Sequence, residues 1–293
     1  MHSIIPTTHD LGAFKVRRTL PAKGRTMVGP FIFVDQFGPA QFDVGAGMDV
    51  RPHPHINLST VTYLFDGAID HRDSLGSFAT IRPGALNLMT AGRGIVHSER
   101  TPRAERATGS PISGMQTWLA LPDGQEEIAP AFEQVAADDL PVIKDTGVQA
   151  RVIMGSLWGV TSPVTQHAAT IYADILLHAG AAIPIAADAD ERGVILAYGS
   201  ASLDGQPLEP HHLYVLKPGV PMTLRADSAA RVMLLGGEAF STPRHVWWNF
   251  VSYSRDRINQ AKADWKAGNF PKVPGDDAEF IPVPEVPLTR SES

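Results

Sequence analysis

The chain contains no cysteine. Disulfides and thiolate-bound metals are therefore excluded, and any metal must be held by imidazole and carboxylate. A run of about 20 apolar residues is also missing, which excludes a spanning helix, so no membrane association is expected. Met1-His2-Ser3-Ile4-Ile5-Pro6 lacks the basic start and long apolar stretch of a secretory leader, and a cytoplasmic location is the expectation that follows. Positive charge is in deficit too: 25 Lys and Arg stand against 31 Asp and Glu, a formal net charge of −6. Direct nucleic-acid binding is not expected, because phosphate contacts need a concentrated basic face. Lys15, Arg17, Arg18, Lys23 and Arg25 cluster, but read as a solvated face or as salt-bridge partners for the acidic surplus.

What the chain has in quantity is turn formers, 26 Gly and 24 Pro in 293 residues, within a composition 43% hydrophobic and 19% charged. That is the profile of a globular, β-rich chain with frequent tight turns. The length suffices for two domains of about 150 residues, each with its own core. Strands are expected over 13–20 and 28–34, followed by a Gly-, Pro- and Phe-rich connection over 35–43. A meander then runs over 51–100, with turns at Asp66-Gly67, 74–76, Pro83-Gly84 and 91–94. A loop over 101–109 precedes a returning strand over 114–121.

These signals divide the chain into a first barrel, 1–124, a connection, 125–146, a second barrel, 147–240, and a C-terminal helix and tail, 241–293. In the last part Ser254 is placed to cap a helix reaching Ala267, with Gly268 as its stop, and Trp247, Trp248 and Phe250 gather before it. The tail from Pro271 is too rich in proline and acid to make a core and is expected to drape over the surface or stay disordered.

The chemistry concentrates between Arg51 and Arg100. His53-Pro54-His55 opens that block and His97-Ser98-Glu99 closes it. Residues two apart on a strand share a face, so two strands side by side would aim three imidazoles and a carboxylate at one point. Such a donor set suits one divalent transition metal, Fe, Mn, Co, Ni, Cu or Zn, rather than Mg or Ca. Ligands from only two strands leave coordination positions open, which implies reaction or ligand binding. In the second half, matching the turn glycines 67 and 199 sets Ile185 and Ala187 against His53 and His55. Matching prolines 83 and 218 sets Val232 and Leu234 against His97 and Glu99, so the second barrel is expected to lack the metal.

At these residues the sequence resembles the pirin family, the bicupin branch of the cupin superfamily. The likeness rests on His53-Pro54-His55, Thr60-Val61-Thr62-Tyr63-Leu64, His71-Arg72-Asp73-Ser74-Leu75-Gly76 and Met89 through Glu99. It extends to Gly29-Pro30-Phe31, Gly38-Pro39 and Trp247-Trp248-Asn249-Phe250. It implies an all-β fold of two tandem cupin barrels with a short C-terminal helix. It also implies one metal, Fe(II), in the first barrel, held by His53, His55, His97 and Glu99. The activity implied is that of a quercetin 2,3-dioxygenase-like oxidoreductase on flavonol or related enolic substrates, with Glu99 as general base. The alternative is a metal- and redox-dependent regulator that binds a protein partner. Phe33, Gln36, Tyr63, Met89 and Arg93 are the expected pocket residues. Departures from the family pattern are Ile56-Asn57-Leu58-Ser59 after the first histidines, where Arg-Gly-Phe-Glu is usual, and Gln36 where His is frequent.

Overall fold

The computed structural model describes residues 1–10, 14–287 and 289–290. Two sheets build each half. In the first half a seven-stranded sheet runs Ala131–Val135, Leu86–Thr90, Leu58–Asp66, Ser110–Ala120, Phe31–Phe42, Lys15–Leu20, Thr7–Asp10. It faces a four-stranded sheet, Asp49–His55, Ile95–Arg100, Ile69–Asp73, Phe78–Ile81. The second half repeats the seven-plus-four arrangement, its small sheet made of Ala182–Ile185, Met222–Ala226, Ala201–Leu203 and Gln206–Pro207. The chain is all-β, two cupin domains in tandem with one C-terminal helix, as the resemblance implies.

The segment read as a meander is not one. Of its strands only Ile69–Asp73 and Phe78–Ile81 pair as chain neighbours, while Asp49–His55 pairs with Ile95–Arg100 across some 40 intervening positions. Closing a barrel from two layers sends successive strands to opposite sheets, which short-range turn signals cannot report. The 35–43 connection is the continuation of the strand Phe31–Phe42, which is paired on both sides, and the ladder slips at Gly38-Pro39 where Pro39 has no N–H to give. The loop over 101–109 contains a short helix, Arg103–Thr108. The 125–146 connection holds Ala131–Val135, which adds to the first large sheet, and Val142–Asp145, which adds to the second. The strand expected from Ala13 is seen over Lys15–Leu20; Ala13 itself lies outside the described residues, as do Leu288 and 291–293 in the tail.

Strand alternation decides which residues face the barrel and which face outward. On the first large sheet Thr60, Thr62, Gln116 and Trp118 share the inner face, while Val61, Tyr63, Met115 and Leu88 turn outward. That outward face is not solvated. It packs on the large sheet of the second half in one apolar layer that includes Phe31, Val34, Tyr172, Ile195, Met233 and Leu235. The approach is close: a Cβ on Gly29 would stand 2.6 Å from the Gly237 nitrogen, so only glycine fits. Polar pairs mark the same interface. Arg25 meets Glu191 at 2.9 Å, and Arg231 forks onto Asp174 at 2.8 and 2.9 Å. The Tyr63 hydroxyl donates to Asp174 at 2.8 Å; burial and that carboxylate push the phenol well above its ordinary range.

The helix is Arg255–Ala267. The Ser254 hydroxyl accepts from the Arg257 N–H and Gly268 closes it in the left-handed conformation, so both caps are those read from sequence.

Removing Asp174 would leave the buried Tyr63 hydroxyl without its acceptor and the half-buried Arg231 with only its aromatic contacts to Phe65 and Tyr198. Asp174→Ala is therefore expected to cost about 2–4 kcal/mol in unfolding free energy. Tyr63→Phe, which removes one neutral donor, is expected to cost about 0.5–1.5 kcal/mol. Urea unfolding of both variants checks the ranking, and equal losses would contradict it.

Candidate metal centre

Asp49–His55 and Ile95–Arg100 are antiparallel neighbours, with His97 directly opposite His53. His55 lies two residues along the same face, and one ring nitrogen from each of the three histidines falls within 4.8 Å of the others. Among the described residues this is the one such group of three or more potential ligands. All three are buried, with 6%, 1% and 1% of their surface exposed for His53, His55 and His97.

Backbone carbonyls fix how two of the rings present themselves. His53 Nδ1 lies 2.8 Å from the Arg51 carbonyl and His55 Nδ1 lies 3.2 Å from the Asn249 carbonyl. A carbonyl only accepts, so each Nδ1 carries the proton and each Nε2 is a bare lone pair directed inward. Burial pushes the His53 pKa down to about 4, and burial together with the neighbouring imidazoles holds His55 and His97 well below the ordinary value. The rings are thus neutral at pH 7, the state a metal requires.

The spacing fits an ion. His55 Nε2 and His97 Nε2 stand 3.1 Å apart. Two nitrogens each about 2.1 Å from one cation, at a right angle, would be about 3.0 Å apart. Iron, manganese, cobalt, nickel, copper or zinc would suit this all-nitrogen set, with His53, His55 and His97 as the holders.

Glu99 stands slightly aside. The ladder slips between the two ligand strands, so that His97 faces His53 but Glu99 faces Val50, the interruption falling at Arg51-Pro52. Pro52 offers no N–H, and the Arg51 carbonyl is taken by His53. The Glu99 carboxylate does not join the three-nitrogen group; it lies 3.3 Å from the Thr62 hydroxyl, which is also 2.8 Å from Gln116 Oε1. Burial raises the Glu99 pKa, against the opposing influence of His71.

The expected pocket residues separate. Phe33 stacks on Trp118 with centroids 4.0 Å apart, and Trp118 meets His55 edge-on at 5.1 Å, which puts Phe33 one ring behind the centre. Met89 packs with Ala91, Ile95 and Phe132. Tyr63 and Gln36 flank Met115 on the outward face and reach the second domain; Gln36 accepts from His211 Nδ1 at 3.0 Å and donates to the Ala197 carbonyl at 3.3 Å. Arg93 is exposed; its backbone is engaged at Ile128 and Arg257, and its charge acts on Glu127. Neither Tyr63, Gln36 nor Arg93 borders the histidines, because strand parity sends the first two to the other face and the third sits in a surface turn.

His71 and Asp73 are the residues at the centre that had not been singled out for it. They form a third pair two apart on a strand, opposite Glu99 and His97 respectively. The rule that selected the other two pairs selects this one as well. His71 lies flat against Phe132, centroids 4.4 Å apart, and its Nε2 donates to Asp73 at 3.0 Å.

The second barrel shows what the fold does without ligands. In its small sheet Ile183 faces Leu224 and Ile185 faces Met222, matching His53 opposite His97 and His55 opposite Ile95. The counterparts of the four residues are therefore Ile183, Ile185, Leu224 and Ala226, not the Ile185 and Ala187 given by the turn glycines or the Val232 and Leu234 given by the turn prolines. Pro83 precedes Leu86–Thr90, whereas Pro218 precedes Met222–Ala226, one strand further along the repeat. Val232 and Leu234 belong to the strand that matches Ser110–Ala120. A cavity of about 640 Å³ at this second mouth is bordered by Trp158, Ile185 and Leu234, and no histidine lines it.

The depressed His53 pKa has a consequence for the metal-free protein. Between pH 6.5 and about 4 the unfolded chain takes up a proton at this position that the folded chain refuses. Stability is retained above pH 6.5 and falls as the pH drops through that window, by about 3 kcal/mol for His53 alone. Urea unfolding of the metal-free wild type and His53→Gln at pH 7 and 4.5 checks this: the wild type is expected to lose more, and parallel losses would refute a buried neutral ring.

Comparison with known proteins agrees with the architecture. The pirin family model matches residues 13–119, and the pirin C-terminal cupin domain matches 172–271. A pirin-like protein of Caulobacter vibrioides is 47% identical over 279 residues, covering 94% of this chain and 96% of that protein. The crystal structure of a quercetin 2,3-dioxygenase from Acinetobacter baumannii superposes with a TM-score of 0.91 at 33% identity, covering 99% of this chain and 98% of that one. A bacterial pirin from Escherichia coli in complex with nickel(II) shares the fold, with a TM-score of 0.63 at 16% identity over 80% of this chain and 98% of that one. The two matched models and the 47% identical relative, together with two barrels in tandem, make this chain a member of the pirin family.

Proposed function

We propose that the first barrel binds a single divalent transition metal, Fe(II), and that the protein is a dioxygenase acting on flavonols or related enolic aromatic substrates. The observation that carries this reading is the convergence of three buried, neutral imidazoles with inward Nε2 lone pairs. The likeness to a protein named as a quercetin 2,3-dioxygenase supports the choice of reaction. When bound, the iron supplies a redox-active Lewis acid that brings an electron-rich enolate and dioxygen to one centre.

The chain's own residues provide the rest. His53, His55 and His97 hold the ion, and carbonyls of Arg51 and Asn249 hold two of those rings in place. Glu99, two residues along the strand from His97 and 3.3 Å from the Thr62 hydroxyl, accepts the proton of the substrate's hydroxyl. Its burial favours the protonated form, so the transferred proton is well received. Trp118, backed by Phe33, gives a flat aromatic wall for a planar ring system.

Iron-loaded protein is expected to consume oxygen in the presence of quercetin. His97→Ala is expected to lose both iron and turnover, whereas Glu99→Gln keeps iron on the three imidazoles but turns over about 10²–10⁴-fold more slowly. Oxygen uptake together with elemental analysis checks all three. If the loaded wild type oxidises no flavonol or enediol, the oxygenase reading is abandoned in favour of a redox-dependent regulator that binds a protein partner.

A further inference from the structure

We infer that Asp73 and His71 are positioning residues that select, through a chain of hydrogen bonds, which nitrogen of His97 is presented to the metal. This rests on the metal reading above and adds to it the device that sets one ligand's tautomer.

His53 and His55 are oriented by backbone carbonyls, but His97 is not. Its Nδ1 lies 3.5 Å from His71 Nδ1, at the long end of hydrogen bonding, and the far side of His71 donates Nε2–H to Asp73 Oδ2 at 3.0 Å. A carboxylate only accepts, so a neutral His71 carries its proton on Nε2 and offers a bare Nδ1. His97 must then donate from Nδ1, which leaves its Nε2 lone pair facing the Nε2 of His55 at 3.1 Å. Two such lone pairs repel each other unless a cation lies between them. The carboxylate–imidazole–imidazole chain thus yields the ligand-ready tautomer, as second-layer partners do elsewhere. The chain is rigid: Asp73 is fully buried, and His71 is clamped against Phe132.

The Asp73 carboxylate is itself oriented. Its Oδ1 accepts the backbone N–H of Leu75 at 2.9 Å and of Ser77 at 3.1 Å, and only Oδ2 faces His71. In Asp73→Asn those two N–H groups keep the amide oxygen on their side and turn the NH₂ toward His71. The amide then donates to Nε2, the His71 proton moves to Nδ1, and His97 meets a donor where it had an acceptor. Its own proton is driven to Nε2, the atom the metal needs.

The test uses Zn²⁺, measured by chelator competition on the full chain, with thermal unfolding of each metal-free variant as the folding control. Asp73→Asn is expected to bind Zn²⁺ about 10–100-fold more weakly than wild type. His71→Phe, which keeps the stack on Phe132 but cannot relay a proton, is expected to lose only several-fold. The double variant His71→Phe/Asp73→Asn is expected to recover to the His71→Phe level. A double variant as weak as Asp73→Asn, or weaker, overturns the chain in favour of a purely structural role for Asp73. Should the variants not fold, ¹⁵N-histidine spectra of Zn²⁺-loaded wild type decide: His71 protonated on Nε2 alone sustains the inference, and His71 protonated on Nδ1 ends it. If wild type binds no Zn²⁺, Co²⁺ or Fe²⁺, the metal reading itself fails and this inference falls with it. Wild-type binding with unaltered affinity in Asp73→Asn sinks the inference alone.

Discussion

The pairing register of Asp49–His55 with Ile95–Arg100 is the constraint from which the rest follows. A slip of one residue in either strand would turn that strand's inward imidazoles outward and break up the trio, because side chains alternate. The structure holds that register from the outside as well as through the ladder. Ser98 and Arg100, whose positions alternate with His97 and Glu99, both bind Asp276, Arg100 with two contacts of 2.8 Å. The Ile281 N–H reaches the Pro52 carbonyl at 2.9 Å. The acidic, proline-rich tail, which has no core of its own, is thus a clasp over the two histidine-bearing strands.

A second constraint is that the outward face of the first large sheet is spent on the second barrel. That is why Tyr63 and Gln36 take part in joining the domains rather than in lining the site. The large sheet of the second barrel supplies the other side of the apolar layer that buries this face of the first sheet. With Ile183, Ile185, Leu224 and Ala226 in place of donors, its own interior is an ordinary aliphatic core.

Residues beyond the second barrel complete the first. The Asn249 carbonyl orients His55, Phe250 packs on Ile56, and Phe270 closes over Gly94 in the loop that leads to His97. The aromatic cluster before the helix is therefore packing that bears on the three histidines, joined by Trp265 in the helix and Phe270 after it, edge-on at 5.7 Å. The orientation of His55 is thus completed by a carbonyl 194 residues later in the chain.

Much of this could be read from the sequence, for local physical reasons. Strand parity picked out His53, His55 and His97, a capping hydroxyl and a stop glycine bounded the helix at Ser254 and Gly268, and the family motifs named the two barrels. Parity would equally have picked His71 and Asp73. Three things lay beyond it. The layer to which each strand belongs depends on closing the barrel, so consecutive strands read as a meander and Pro218 was matched to the wrong turn. The role of Phe132 depends on a strand whose weak pattern is rescued by pairing with Leu86–Thr90. The slip of the ladder beside Glu99 falls where a proline withholds its hydrogen bond from a pairing that exists only after the chain has folded. Sequence fixes donor type and spacing along a strand, whereas tertiary structure alone decides which strands become neighbours, because that choice is made by burial of whole sheet faces and not by any residue's own preference.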